Sequence, residues 1–457
     1  MTFKLKQIPG SVVAAKGFSA SGIFCDIKRL GTGKGSEKGN KRDLALVVSS
    51  TPATVAGMFT TNQICAAPVK VCVERIKKGP VQAIVINSGN ANACTGKQGM
   101  QDALEMVHFT EQALALPSGS ALVGSTGRIG ITMPIQNVRA GIIEAAVELG
   151  STTTHADNAA EAIMTSDTKP KQVAFEFSLG GKRVRLGGMC KGAGMIQPGM
   201  SAHGRRPAAT PLHATMLCFI TTDAAADQAG LQLALHDAVA NSFNRITVDG
   251  DMSTNDTVLL LANEQAEAPR ISAGDFRRLH ARGGAATSPS LRDAATFQFA
   301  LNHVCLELAK MIVRDGEGVS RFVTIRVGGA KSFPDADAAA RAVANSALVK
   351  TSWHGGDPNW GRIIDALGYS AAEIVEDKVD MGYSAPGNSK ILWSLRRGQP
   401  TKATFRELCR AVAAREFDLH INLNLGDSQA LMYAADLTGD YVEFNKGDVS
   451  DPASLGG

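Results

Sequence analysis

Short apolar runs closed by polar or glycine residues alternate along this chain with segments whose apolar residues recur every three or four positions. Residues 44–50 (LALVVSS) and 81–88 (VQAIVINS) have the first pattern and predict buried strands. Residues 171–179, 216–222, 257–262 and 322–327 read the same way. Residues 138–149 (VRAGIIEAAVEL) put Ile142, Ala146 and Leu149 on one stripe, the period of a helix. Residues 227–239, 299–313 and 335–349 repeat that spacing. Such interleaving predicts an α/β or α+β protein with several sheet layers. Two stretches break it. Residues 281–293 (ARGGAATSPSLRD), rich in Gly, Ala, Ser and Pro, predict a linker, and 201–213 (SAHGRRPAATPLH), with no period, a surface loop.

Composition narrows the classes. At 457 residues the chain holds two or three domains' worth of core, and 44% hydrophobic with 20% charged residues excludes a wholly disordered chain. No apolar run reaches the ~18 residues needed to span a bilayer, so no membrane role is expected. The net charge of +4 is dispersed and aromatics are 5%, which argues against nucleic acid as a partner. The eight cysteines form no C-x-x-C pair and read as small buried hydrophobes in a reducing compartment. The N-terminus has no secretory apolar region; Lys4, Lys6 and Lys16 without acids echo a transit peptide, but Arg is missing from residues 1–25.

Several motifs fail on inspection. Residues 31–36 (GTGKGS) do not satisfy the phosphate-loop pattern. Residues 249–256 (DGDMSTND) begin like a calcium loop, but Thr254 stands where glycine is needed and Leu260 where a bidentate glutamate is needed. Val123 replaces the first glycine of a serine nucleophile elbow in 124–127 (GSTG). The nine histidines offer no metal-ligand cluster, so no metal is expected.

The informative stretch is 191–223: KGAGMIQPGM, the irregular loop, then ATMLCFITTD. It resembles the glutamate N-acetyltransferase/ornithine acetyltransferase family of arginine biosynthesis. Precursors of that family cleave themselves at an Ala-Thr bond within K-G-[SA]-G-M-I-x-P-x-M-A-T-M-L. Family-like blocks recur in order at 58–71 (MFTTNQICAAPVKV), 86–99 (INSGNANACTGKQG), 123–130 (VGSTGRIG) and 163–171 (IMTSDTKPK). They continue at 242–263 (SFNRITVDGDMSTNDTVLLLAN), 312–318 (IVRDGEG), 357–362 (DPNWGR) and 435–445 (ADLTGDYVEFN). The similarity runs from about Gly10 to about Ser450, with the family pattern beginning near Val13.

The resemblance implies an α+β fold: an αββα core with an N-terminal-nucleophile site, within residues 1–280, and a smaller C-terminal α/β domain in 294–457. It implies cleavage between Ala214 and Thr215 into an α chain, 1–214, and a β chain, 215–457, assembled as α₂β₂. Thr215 would be the nucleophile and, through its freed amine, the base. Thr126 and Gly127 match the family's oxyanion-hole pair. Thr165, Lys191, Thr215, Glu317, Asn445 and Ser450 match its substrate contacts, with Lys191 suited to an α-carboxylate and Glu317 to the distal ammonium of ornithine. The implied activity transfers acetyl from N-acetylornithine to glutamate, without a cofactor, and with acetyl-CoA as a further co-substrate. The implied compartment is the cytoplasm, with the mitochondrial matrix as alternative. Taken without the resemblance, 124–127 reads as a turn after a strand, Lys191 as a solvated lysine and Glu317 as a surface glutamate.

That chemistry suits the residue types. Acyl transfer needs a nucleophile, a base near neutral pKa and an oxyanion stabiliser. An N-terminal threonine combines hydroxyl and α-amine, the latter with an ordinary pKa of about 7.7–8.0. The amine exists only after cleavage, so maturation is a condition of activity. Here residues 201–213 intervene before the scissile bond where the family joins Met directly to Ala-Thr, and the chain continues past Ser450. Loop closure costs only about 0.6 kcal/mol per doubling of length, so the fold should tolerate the insertion. Self-cleavage is less forgiving, since it needs the Ala214 carbonyl pressed against the Thr215 hydroxyl, but Thr215 is expected to mature. Two other readings stay open: a related self-processing amidohydrolase or aminopeptidase, and an unprocessed, non-catalytic relative.

Overall fold

The computed structural model describes residues 3–28, 41–205, 216–281, 283 and 286–446. Its first half is built mainly on the strands β1 (Phe18–Ile23), β2 (Leu44–Thr60), β3 (Val81–Asn90), β4 (Ala121–Arg128), β5 (Lys171–Leu179), β6 (Lys182–Lys191), β7 (Leu217–Thr222) and β8 (Thr257–Ala262), with two-residue strands at Lys6–Gln7 and Met200–Ser201 added to them. Strands β5, β6, β7, β8 and the second half of β2 pair in that order, with β7 and β8 parallel. The first half of β2 instead pairs with β1 and β3, and β3 runs parallel to β4. Thus β2 is 17 residues long and passes from one sheet into the other. Its pairing with β3 shifts register between Val48 and Ala53, around Pro52, which has no N–H to give to a ladder. The apolar run read as 44–50 is only the first half of this strand.

Alternate residues of β7 and β8 belong to different cores. Cys218, Ile220, Val258 and Leu260 pack under helices α5 (Gln228–Ala240), α6 (Ala273–Ala281) and α7 (Pro289–Arg314). Leu217, Phe219, Leu259 and Leu261 face the other way, into the core that holds Ile84, Ile86 and Val123. That core extends to helices α1 (Ala67–Arg75), α2 (Gly96–Ala113), α3 (Ile135–Val147) and α4 (Thr153–Ala162). Where the sheets touch, the Phe219 ring sits over Gly124: a Cβ there would come within 2.9 Å of it. The layers therefore run helix, sheet, sheet, helix, the expected αββα core. Burial on both faces explains why these strands read as unbroken apolar runs rather than alternating ones.

A separate C-terminal sheet is built from β9 (Phe322–Ala330), β10 (Asp380–Ser384), β11 (Leu392–Arg396), β12 (Glu416–Asn422) and β13 (Ser428–Ala435), in the order β13-β9-β12-β10-β11. Helices α8 (Phe333–Asn345), α9 (Ala347–His354) and α10 (Trp360–Gly368) bury Ala340, Val343, Trp353 and Ile363 against it. The helix expected over 335–349 is in fact two, divided at Ser346, whose backbone is extended and whose side-chain Oγ caps α9 by accepting the Val349 N–H. Residues Ile246–Thr247, between α5 and β8, pair with the edge of this sheet at Tyr433 and Ala434. A short C-terminal helix, α11 (Gly439–Phe444), follows β13.

The compositional linker at 281–293 does not separate the two units. Ser288 caps α7, accepting from the Leu291 N–H, and the helix buries Phe297, Leu301 and Leu308 in the αββα core. Apart from the edge pairing of Ile246–Thr247, the C-terminal sheet begins at Phe322, and α7 sides with the first unit, because its apolar stripe is long enough to cover β5 and β6. Cysteines depart from expectation too: Cys72, Cys190, Cys218 and Cys305 are buried, but Cys94 is exposed. Among the described residues no helix is long and apolar enough to cross a membrane.

Candidate active site

Strand register brings the site together. Lys191, the last residue of β6, pairs with Leu217, the first of β7, and Leu217 pairs with Thr257, the first of β8. Lys191, Met216 and Asp256 therefore meet at one end of the first sheet. From the neighbouring sheet of the αββα core, the end of β4 brings Thr126 and Gly127 to the same place, and Lys191 Nζ donates to Thr126 Oγ1 at 3.2 Å. An ammonium can only donate, so the threonine hydroxyl accepts here and keeps its own proton for another acceptor.

The strand end at Thr126–Gly127 is tightly built. Gly127 has φ +128°, and a Cβ on it would lie 2.4 Å from the carbonyl carbon of Gly89, so only glycine fits. Thr126 pairs with both Ser88 and Asn90, a bulge that redirects the strand end. Asn255 ties the layers there: its Nδ2 donates to Ala91 O at 2.7 Å and Ser125 O at 2.8 Å.

Met216 is fully buried and donates its N–H to Asp256 Oδ1 at 2.5 Å. The other carboxyl oxygen of Asp256 is buried with no hydrogen-bond partner among the described residues. Burial pushes this carboxyl well above the usual range, against the opposing pull of the Met216 N–H and Lys191. Burial also pushes the Lys191 ammonium below its ordinary value, with Asp167 the main group resisting.

Asp167 lies behind Lys191. Its Oδ1 accepts from Lys171 Nζ at 2.6 Å and from the Gly192 N–H at 2.7 Å, and its Oδ2 accepts from the Thr165 N–H at 2.9 Å. Lys171 reaches on to Asp315 Oδ2 at 2.5 Å, and Asp315 accepts from the backbone and hydroxyl of Thr168. Burial would raise the Asp167 carboxyl, but Lys191, Lys171 and the Gly192 N–H outweigh it and hold the group below the usual carboxylate range.

The rim is more open. Glu317 follows α7 and donates its N–H to Ala193 O at 3.0 Å. Its side chain crosses Gly194 so closely that a Cβ there would stand 2.4 Å from Oε2. Asn445, just past α11, donates to the same Oε2 at 2.9 Å. Below the rim, Asp249 accepts the N–H groups of Met195 and Ile196 at 2.6 and 2.8 Å, shaping the loop after Lys191.

Of the residues expected from the sequence, Thr126, Gly127, Lys191, Thr165, Glu317 and Asn445 fall in this one region. Lys191 is buried rather than solvated. Ala214, Thr215 and Ser450 lie outside the described residues, as does most of 201–213. Sequence reasoning assigned no role to Asp167, Asn255, Asp256 or Asp249. Asp249, Asn255 and Asp256 sit in the segment rejected as a calcium loop; there the two carboxylates accept backbone N–H groups and the Asn255 amide donates to two carbonyls.

The model of the ArgJ family matches residues 23–447. The chain is 44% identical over 441 residues to the arginine biosynthesis bifunctional protein ArgJ of Symbiobacterium thermophilum, covering 96% of this chain and 99% of that one. It is 40% identical over 446 residues to the glutamate N-acetyltransferase of Methanocaldococcus jannaschii, covering 96% and 99%. Among solved structures, the ornithine acetyltransferase of Mycobacterium tuberculosis complexed with ornithine is 34% identical, covering 43% of this chain and 100% of that chain, with a TM-score of 0.39.

Proposed function

The chain belongs to the ArgJ family, and from that premise we propose that it is a glutamate N-acetyltransferase of arginine biosynthesis, working through an acetyl-threonine ester on Thr215. The observation that carries this reading is the convergence of Thr126, Gly127 and Lys191 beside Met216, the residue that follows Thr215 in the sequence.

Maturation comes first. The Thr215 hydroxyl attacks the Ala214 carbonyl, the peptide C–N bond breaks to give an ester, and water hydrolyses it. The products are chains 1–214 and 215–457, with a new α-amine on Thr215. In turnover that amine takes the hydroxyl proton while Oγ attacks the acetyl carbon of N-acetylornithine. The proton held by Thr126 and the Gly127 N–H would serve the oxyanion. Collapse breaks the amide C–N bond and passes the proton to the departing ornithine nitrogen. Glutamate's amine then attacks the ester, and Thr215 Oγ recovers its proton as N-acetylglutamate leaves.

Lys191 would hold a substrate α-carboxylate and Glu317 the distal ammonium of ornithine, with Thr165, Asn445 and Ser450 completing the contacts. No cofactor is needed by this route; acetyl-CoA serves as an alternative acetyl donor. An α₂β₂ assembly in the cytoplasm goes with the reading.

Denaturing electrophoresis with intact mass on wild type and Thr215→Ala tests it. Wild type should give two chains split at Ala214/Thr215, the variant one whole chain with no acetyl transfer. A wild-type protein that stays a single 47.8 kDa chain has no free threonine amine and sinks the mechanism.

A further inference from the structure

Lys191 is wholly buried, where an ammonium is costly to keep charged without a partner. Its charge state decides more than substrate binding. A charged Lys191 leaves the Thr126 proton free, whereas a neutral amine can accept that proton and remove the donor an oxyanion needs.

The titratable groups that face Lys191 come from four places. Asp167 precedes β5, Lys171 opens β5, Glu317 follows α7, and Asp256 precedes β8. Lys171 repels it. Asp256 is pushed toward its neutral form, and Glu317 stands at the half-exposed rim. Asp167 is the one buried carboxylate among them that its surroundings hold ionised. It also grips the main chain just after the lysine, through the N–H of Gly192, and its own loop through the N–H of Thr165.

We propose that Asp167 is a positioning residue of this site, keeping Lys191 charged and setting Gly192 and Thr165 around it. Lys171, shared with Asp315, is the counter-cation that lets a carboxylate lie buried there. The role in turnover rests on the acetyltransferase reading; the effect on Lys191 does not.

The test compares Asp167→Asn with Asp315→Asn in the full, matured protein. The titration of Lys191 is followed by competitive labelling with isotopic acetic anhydride across pH, read by mass spectrometry. The pH profile of kcat/KM for acetyl transfer is recorded in parallel. Asp167→Asn is expected to lower the Lys191 pKa by about 1–3 units, the range for loss of a close opposite charge. The alkaline limb of kcat/KM should move down with it, because an amine with a lower pKa loses its proton at lower pH. Asp315→Asn removes an equally buried carboxylate of the cluster that touches neither Gly192 nor Thr165, and should leave Lys191 titrating as in wild type. Asp167→Glu keeps the charge and should do the same, which covers the case where the Asn variant does not fold. Equal shifts in the Asp167→Asn and Asp315→Asn proteins, or an Asp167→Glu shift as large as that of Asn, overturn the proposal. If no variant or wild type transfers acetyl, the labelling still decides the role of Asp167, and only the functional reading fails.

Discussion

At the floor of the site Lys171 lies between Asp167 and Asp315 with all three side chains essentially sealed from solvent. At the rim Glu317 meets Asn445 in the open, over a glycine loop. Both regions hold a carboxylate by a donated N–H, from an ammonium at the floor and from a neutral amide at the rim, and burial sets them further apart. At the floor a missing partner leaves a charge stranded in low dielectric; at the rim water replaces it at little cost. The floor therefore holds the geometry and the rim can adapt to what binds.

The sharpest way to break that contrast is Lys171→Met, which strands two buried carboxylates. It is expected to cost about 3–5 kcal/mol, measured by denaturant unfolding; a loss as small as that of a rim variant would erase the distinction. Next comes Thr126→Val, which keeps the shape at the floor but removes the hydroxyl. Its expected cost is about 10²–10³ in kcat, with maturation assayed separately by intact mass.

Asp256 and Asp167 sharpen the comparison through pH. Asp256 titrates above its unfolded value of about 3.9, so the folded state favours the protonated form, and wild type loses stability as pH rises from that value through the folded pKa. Asp256→Asn should remove this slope, so melting curves of the two proteins diverge as pH rises and converge in acid. Asp167 is shifted the other way, so its contribution is present above about pH 3.9 and fades as pH falls below it. Loss of stability on alkalinisation in both Asp256→Asn and wild type alike would refute the assignment. The smallest effect is expected for Asn445→Ala at the rim, within about 0.5 kcal/mol of wild-type stability, with any change confined to KM.

Much of this was open to sequence reading for particular reasons. Strands buried on both faces, such as Leu217–Thr222, are apolar at every position, and Val138 to Val147 has a helical period that survives in the fold, although Ala146 and Leu149 turn out only partly buried. The resemblance blocks singled out Thr126, Gly127, Lys191 and Glu317, which the fold brings into one region. The division of the chain was not open in the same way. A loop rich in Gly, Ala and Ser looks alike whether it joins two units or leads into a helix of the first, and only the seating of Phe297 and Leu308 against β5 and β6 decides it.

Length, composition and motif order by themselves determined the family, the layered α+β class and the segments from which the site is drawn, because each is written in local residue types. Only the tertiary structure decided which charges are buried together. Asp167 and Asp315 are far apart in the chain, as are Met216 and Asp256, and Lys191 and Thr126 come from different sheets. A carboxylate's burial and partners, and hence its charge and its task, are properties of what packs around it, and no local pattern encodes that.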